Sequence, residues 1–219
     1  MDVYTTEHEQ LEELKKWWKE NWKPLIAGTI IGLSLIFAYW AWRNHTQTQA
    51  EAASTEYQLL IGDVEKGDTR AGLERAARIR NQYGDTTYAV FAALAMAKLA
   101  LDKGDTKAAR EHLEWAMNNA GHENLQHIAR LRLARVLLDA GDTKAALKLA
   151  SVTAPGGFLS AYEEVKGDIY VKLAQVSEAS AAYRRALKAL GDQANPEKKA
   201  LLEMKLDDLG SPPAQEKAA

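Results

Sequence analysis

An uncharged run of 18 residues, Leu25 to Trp42 (LIAGTIIGLSLIFAYWAW), constrains this chain more than any other feature. As a helix rising 1.5 Å per residue it would span about 27 Å, close to the hydrocarbon thickness of a bilayer. Five of the six tryptophans flank it, Trp17, Trp18 and Trp22 before it and Trp40 and Trp42 at its end, as indoles do at the two membrane interfaces. A soluble core helix does not explain that flanking. A cleaved signal peptide would carry a shorter apolar region, and the small-x-small site Ala50-Glu51-Ala52 lies well past the run. The run is therefore expected to be a retained membrane anchor.

Orientation follows from the flanks. Lys15, Lys16, Lys19 and Lys23 precede the run and Arg43 alone follows closely, so the positive-inside bias places residues 1–23 in the cytoplasm. Six of the 30 acidic and four of the 28 basic residues precede Pro24, leaving 24 of each in the remainder. The exported part is thus electroneutral and selects no partner by sign. In the cytoplasmic stub Leu11, Leu14, Trp18 and Trp22 fall at helical spacing, which reads as a short amphipathic helix, either resting on the headgroups or docking a partner. Gly28 and Gly32 form a G-x-x-x-G within the span, a spacing that permits close approach of a second membrane helix.

Beyond the span the chain punctuates itself. Lys66-Gly67-Asp68-Thr69, Lys103-Gly104-Asp105-Thr106 and Ala140-Gly141-Asp142-Thr143 recur at intervals of 37 residues, each with a glycine to end one helix and an aspartate to cap the next. Around them small and large apolar residues recur at helical spacing: Ala109, Leu113 and Ala116; Ala146 and Ala150; Ala179, Tyr183 and Ala186, with Gly167 and Tyr170 in the partner helix of the last unit. Small residues where two antiparallel helices meet are the mark of tetratricopeptide-type repeats. The expected fold is all-α: a cytoplasmic stub (1–23), a transmembrane helix (24–42), a tetratricopeptide-like helical-repeat solenoid (43–209) and a disordered tail (210–219). A helix from about Pro196 to Leu209 would cover the last repeat.

In such repeats the first helix of each pair lines the inner surface, which puts Phe91, Leu94, Lys98, Ile128, Leu131, Arg135, Glu164 and Asp168 on or near a groove for partner proteins. Spacing alone does not separate an inner face from a buried one. No cofactor, metal or enzymatic chemistry is indicated. The chain has no cysteine, its five histidines are scattered, and it carries no nucleotide or nucleophile-elbow motif. A net charge of -2 offers no concentrated basic surface for nucleic acid.

The run Glu7 to Asn21 (EHEQLEELKKWWKEN), the glycine-spaced entry to the span, Trp40-x-Trp42, Ala129 to Leu138 (ARLRLARVLL) and the unit at Gly167-Asp168 resemble the YfgM family, ancillary subunits of the bacterial Sec translocon. The resemblance covers about residues 4–209. It implies an inner-membrane protein facing the periplasm, associated with the SecYEG translocon and with a membrane-anchored periplasmic prolyl isomerase-like chaperone, assisting newly exported client proteins. It also implies a link to a cytoplasmic stress-response regulator. A scaffold for another envelope complex, such as cytochrome maturation machinery, would need the same kind of groove and stays open at this stage.

Overall fold

The computed structural model describes residues 3–191 and 195–210, with side chains from residue 9 onward. Residues 1–2 of the stub and 211–219 of the tail expected to be disordered lie outside the described residues. Among those described, nine α-helices and one 3-10 turn occur and no strand.

Two units are distinguished, residues 1–51 and 52–219. The first is formed by the N-terminal part of helix α1 (Val3–Glu65), with Pro24 inside it rather than at its start. This part holds a stretch long and apolar enough to cross a membrane, with none of that stretch buried. Ile30, Ile31, Leu35, Phe37 and Trp40 stand more than half exposed, an arrangement that suits lipid and not water. Its hydroxyl at Thr29 donates to the Leu25 carbonyl at 2.8 Å, so the polar group is satisfied within the helix itself. A Cβ added at Gly28 or Gly32 would meet nothing within 4 Å.

The second unit begins with the last turns of α1 and continues through α2 (Thr69–Gln82), α3 (Thr87–Asp102), α4 (Thr106–Asn119), α5 (Glu123–Asp139), α6 (Thr143–Ala150), a 3-10 turn (Gly156–Phe158), α7 (Leu159–Lys172), α8 (Val176–Leu190) and α9 (Pro196–Asp208). Successive helices pack on one another, α2 on α3, α3 on α4, α4 on α5 and so on to α9. The result is a helical-repeat solenoid. Alanine dominates the closest approaches, with Ala76, Ala109, Ala116, Ala146, Ala179 and Ala186 fully buried. Larger residues, among them Leu113, Leu133, Val165 and Ile169, fill the gaps between hairpins.

The recurring turns explain the repeat length. Gly67, Gly104 and Gly141 all adopt positive φ, 75°, 77° and 84°, a left-handed conformation that costs little without a Cβ. The aspartate that follows caps the next helix. Asp68 accepts from the Ala71 N–H, Asp105 from Ala108 and Asp142 from Ala145, at 2.9 to 3.0 Å, each cap being worth about 1 kcal/mol.

A fourth turn of the same backbone pattern joins α7 to α8, and here the residues differ. Ala174 sits at φ 57° where the others have glycine, and Gln175 makes no side-chain cap. Ala174→Gly together with Gln175→Asp is therefore expected to raise stability by about 1 to 2 kcal/mol, through relief of the left-handed alanine and gain of a cap. A thermal melt of the two variants and the pair measures it; a midpoint that does not rise would mean the turn is not strained.

Candidate functional site

The second unit carries two adjoining clefts. One, of about 350 Å³, lies among α1, α3 and α5 and is lined by Tyr57, Ile61, Val64, Phe91, Leu94, Leu125 and Ile128 with Lys98 and Arg132 at its edge. The other, of about 310 Å³, continues between α3, α4 and α5 past Leu101, Leu113 and Val136 to Asp102, Arg135 and Asp139. Leu94, Lys98 and Arg132 line both, so the two form one continuous surface. The first helices of successive hairpins build it because their 3.6-residue period brings Phe91, Leu94 and Lys98 on α3, and Ile128, Arg132 and Arg135 on α5, to one side.

Aromatic packing fixes its upper end. The rings of Tyr57, Tyr88 and Phe91 meet with centroids 5.8 to 6.1 Å apart, in tilted and edge-on arrangements that favour the ring quadrupoles. Burial raises the pKa of the Tyr57 phenol, while the Arg132 charge pulls it back. Lys98 is tied to Asp102 on its own helix at 2.9 Å. Arg132 is exposed and Arg135 half-buried.

Of the eight residues expected to line a groove, Phe91, Leu94, Lys98, Ile128 and Arg135 stand along these clefts. Leu131 does not; it is only 5% exposed and packs into the core between hairpins. Glu164 and Asp168 are brought together elsewhere, on α7, under α9. There the Lys205 ammonium donates to Glu164 at 2.8 Å and to Asp168 at 2.9 and 3.1 Å. The Tyr183 hydroxyl donates to the same Asp168 at 2.7 Å. Burial and the Asp168 contact together hold that phenol far above the usual range. Burial alone would lower the pKa of Lys205, but its two carboxylates outweigh burial and raise it.

Sequence reasoning missed Arg132, Tyr57 and Ile61. Arg132 stands one residue from Leu131, and a period drawn one position off assigns the groove to the buried neighbour. Tyr57 and Ile61 belong to the end of α1, where no punctuation marks a repeat before Gly67.

A second buried carboxylate, Glu163, is 5% exposed and accepts from Lys166 at 2.8 Å and Arg185 at 2.6 Å. Burial pushes its pKa up, and the two cations more than reverse that, leaving it below the usual carboxylate value. Nearby, the His127 ring shares a 2.8 Å hydrogen bond with the Tyr162 hydroxyl and packs on Phe158 at 4.9 Å. These groups brace α5, α7 and α8. They converge on no nucleophile or metal-binding cluster among the described residues.

Residues 15–211 match the profile of the tetratricopeptide repeat-like domain. Three relatives bear the name ancillary SecYEG translocon subunit. The protein from Haemophilus influenzae is 36% identical over 103 residues, 46% of this chain and 49% of its own length. That from Aggregatibacter actinomycetemcomitans is 34% identical over 101 residues, 46% of this chain and 49% of its own. The Escherichia coli protein is 31% identical over 105 residues, 47% and 48%. The chain thus spans about half the length of the curated relatives it matches. Among solved structures, MamA from Desulfovibrio magneticus RS-1 (residues 41 to the end) superposes with a TM-score of 0.52 at 15% identity, covering 72% of this chain and 87% of that one, a likeness of fold.

Proposed function

The chain belongs to the tetratricopeptide repeat-like domain family, and we propose that it serves the Sec translocon as a single-pass inner-membrane scaffold, binding other proteins rather than catalysing a reaction. Its Sec association is supported by the names of the three relatives, and membrane anchoring by the exposed apolar stretch of α1. Residues 1–23 lie in the cytoplasm, 24–42 cross the membrane and 43–209 face the periplasm, a topology supported by the lysines before the span. In that compartment the repeat unit acts as a co-chaperone for newly exported proteins, alongside a membrane-anchored prolyl isomerase-like chaperone.

The single observation that carries this reading is the continuous cleft along α1, α3 and α5. Its apolar wall of Tyr57, Phe91, Leu94 and Ile128, edged with charge, suits weak contacts with varied segments, where affinity comes from several small contributions. Gly28 and Gly32, open on the face of the span, supply a separate contact for a membrane helix of the channel.

A photo-crosslinker placed at Phe91 or Ile128 in growing cells should capture translocon subunits, the chaperone or exported chains while secretion is active, and lose most of that capture when secretion is blocked. Adducts that persist unchanged without secretion, or that form only from positions next to Gly28 and Gly32, would remove the cleft from the function.

A further inference from the structure

The cleft has a charge balance that its residue types conceal. Expected to offer both signs, the surface loses its acidic members one by one. Glu164 and Asp168 are held by Lys205 under α9, and Asp102 is held by Lys98. Arg132 and Arg135 form no ion pair among the described residues, and of the carboxylates lining the clefts Asp139 alone is likewise unpaired. Asp139 is the last residue of α5, one turn beyond Arg135, so its charge and the negative end of the helix dipole both oppose an anion there. Arg132 is farther from Asp139, lines both clefts, and stands beside the apolar wall of Tyr57, Leu94 and Ile128.

We propose that the occupant of this cleft is an apolar polypeptide segment bearing carboxylates, with an Asp or Glu side chain seated against Arg132 and its apolar residues on Tyr57, Phe91 and Ile128. This rests on the reading of the cleft as a protein-binding surface and specifies its partner. An arginine offers a planar fork of donors to a carboxylate, which a lysine does not. Arg132 is exposed, so the pair draws on the geometry of the fork beside an apolar wall and stays sensitive to salt. A segment with lysine in the same place meets an unpaired guanidinium and is disfavoured.

The test uses the full chain in nanodiscs of zwitterionic lipid and three labelled 15-residue peptides sharing the same leucines and phenylalanines, with Glu, Gln or Lys at the remaining positions. Empty nanodiscs give the background. At low salt the Glu peptide should bind about fivefold more tightly than the Gln peptide and more tightly still than the Lys peptide, the upper end for one well-aligned exposed ion pair. Salt should erode that margin. Arg132→Gln should bring the Glu and Gln peptides within about twofold of each other, and Arg135→Gln should do so less, with helical content unchanged in both.

Equal binding of Glu and Gln peptides to the unaltered chain, or a preference that survives Arg132→Gln, overturns the acidic partner while leaving the cleft in place. Binding of the Gln peptide that is indifferent to Phe91→Ala with Ile128→Ala, or no peptide binding at all, overturns the cleft itself. If nanodiscs containing phosphatidylglycerol abolish peptide binding through Arg132, the anion is a lipid headgroup and the proposal fails.

Discussion

Gly167→Ala should lower the stability of the repeat unit by about 3 kcal/mol, the upper end of what overpacking a well-filled core costs. Gly167 lies on α7 with the ring of Tyr183 from α8 laid directly against it. A Cβ built there would lie 2.9 Å from the ring's Cζ and closer still to Cδ1 and Cε1. The ring cannot turn aside cheaply, since Tyr183 is 2% exposed and its hydroxyl is committed to Asp168. Urea denaturation should show the loss, and a Tyr183→Leu background should remove much of it, because the two residues act through one contact. An unshifted midpoint for Gly167→Ala would mean that α7 and α8 are not packed this closely.

Lys205→Met should cost about 2 to 4 kcal/mol, concentrated at the α9 end of the unit. The side chains of Glu164 and Asp168 are 9% and 24% exposed, and Lys205 is the cation between them. Removing it leaves two neighbouring carboxylates uncompensated, and breaking a buried pair from one side is more costly than never having had it. The partial exposure of Lys205 and Asp168 keeps the figure below that for a fully buried pair.

Lys205 and Glu163 lose their contributions at opposite ends of the pH scale. In the wild type the folded pKa of Lys205 is raised. Its contribution is therefore complete below the unfolded lysine value of about 10.4 and lost as pH rises through the folded value. The depressed Glu163 contributes fully above the unfolded value of about 4.3, and its share is lost as pH falls through the lower folded value. At about pH 5 both contributions are intact. Lys205→Met lacks only the lysine contribution, so the variant's deficit should be full at pH 7 and shrink at strongly alkaline pH, where the wild type loses that contribution as well. Hydrogen exchange along α9 reads this locally. No deficit at pH 7, or exchange that rises everywhere except α9, would count against the lock.

The parts of this molecule that sequence makes legible are those encoded locally. Gly104 and Asp105 announce a turn because one residue tolerates positive φ and the next caps a helix, and both properties belong to the residue itself. The α7–α8 turn makes the same shape from Ala174 and Gln175, which carry neither signal, so tertiary packing imposes it. The pairing of Lys205 with Glu164 spans 41 residues. Charged residues on helices ordinarily face water, and no periodicity marks which will meet. The cleft was half visible for a similar reason: Phe91 and Ile128 lie at the right spacing, but Leu131 and Arg132 differ by one residue and only three-dimensional packing tells inside from outside. The resemblance to translocon subunits was carried by the N-terminal run and the ARLRLARVLL segment, stretches whose likeness does not depend on the fold.

The alanines at the helix crossings have a thermal consequence. Among the described residues half of the buried hydrophobic side chains are alanines, which bring backbones together while removing little hydrocarbon from water and surrender no side-chain rotamers on folding. Unfolding should therefore expose less apolar area per residue than in a domain built on leucine and phenylalanine. Since heat capacity follows that area, the change per residue should fall below the usual 12–15 cal/mol/K or so. A smaller heat-capacity change flattens the dependence of stability on temperature, so the repeat unit should hold a similar margin in the cold and in the warm.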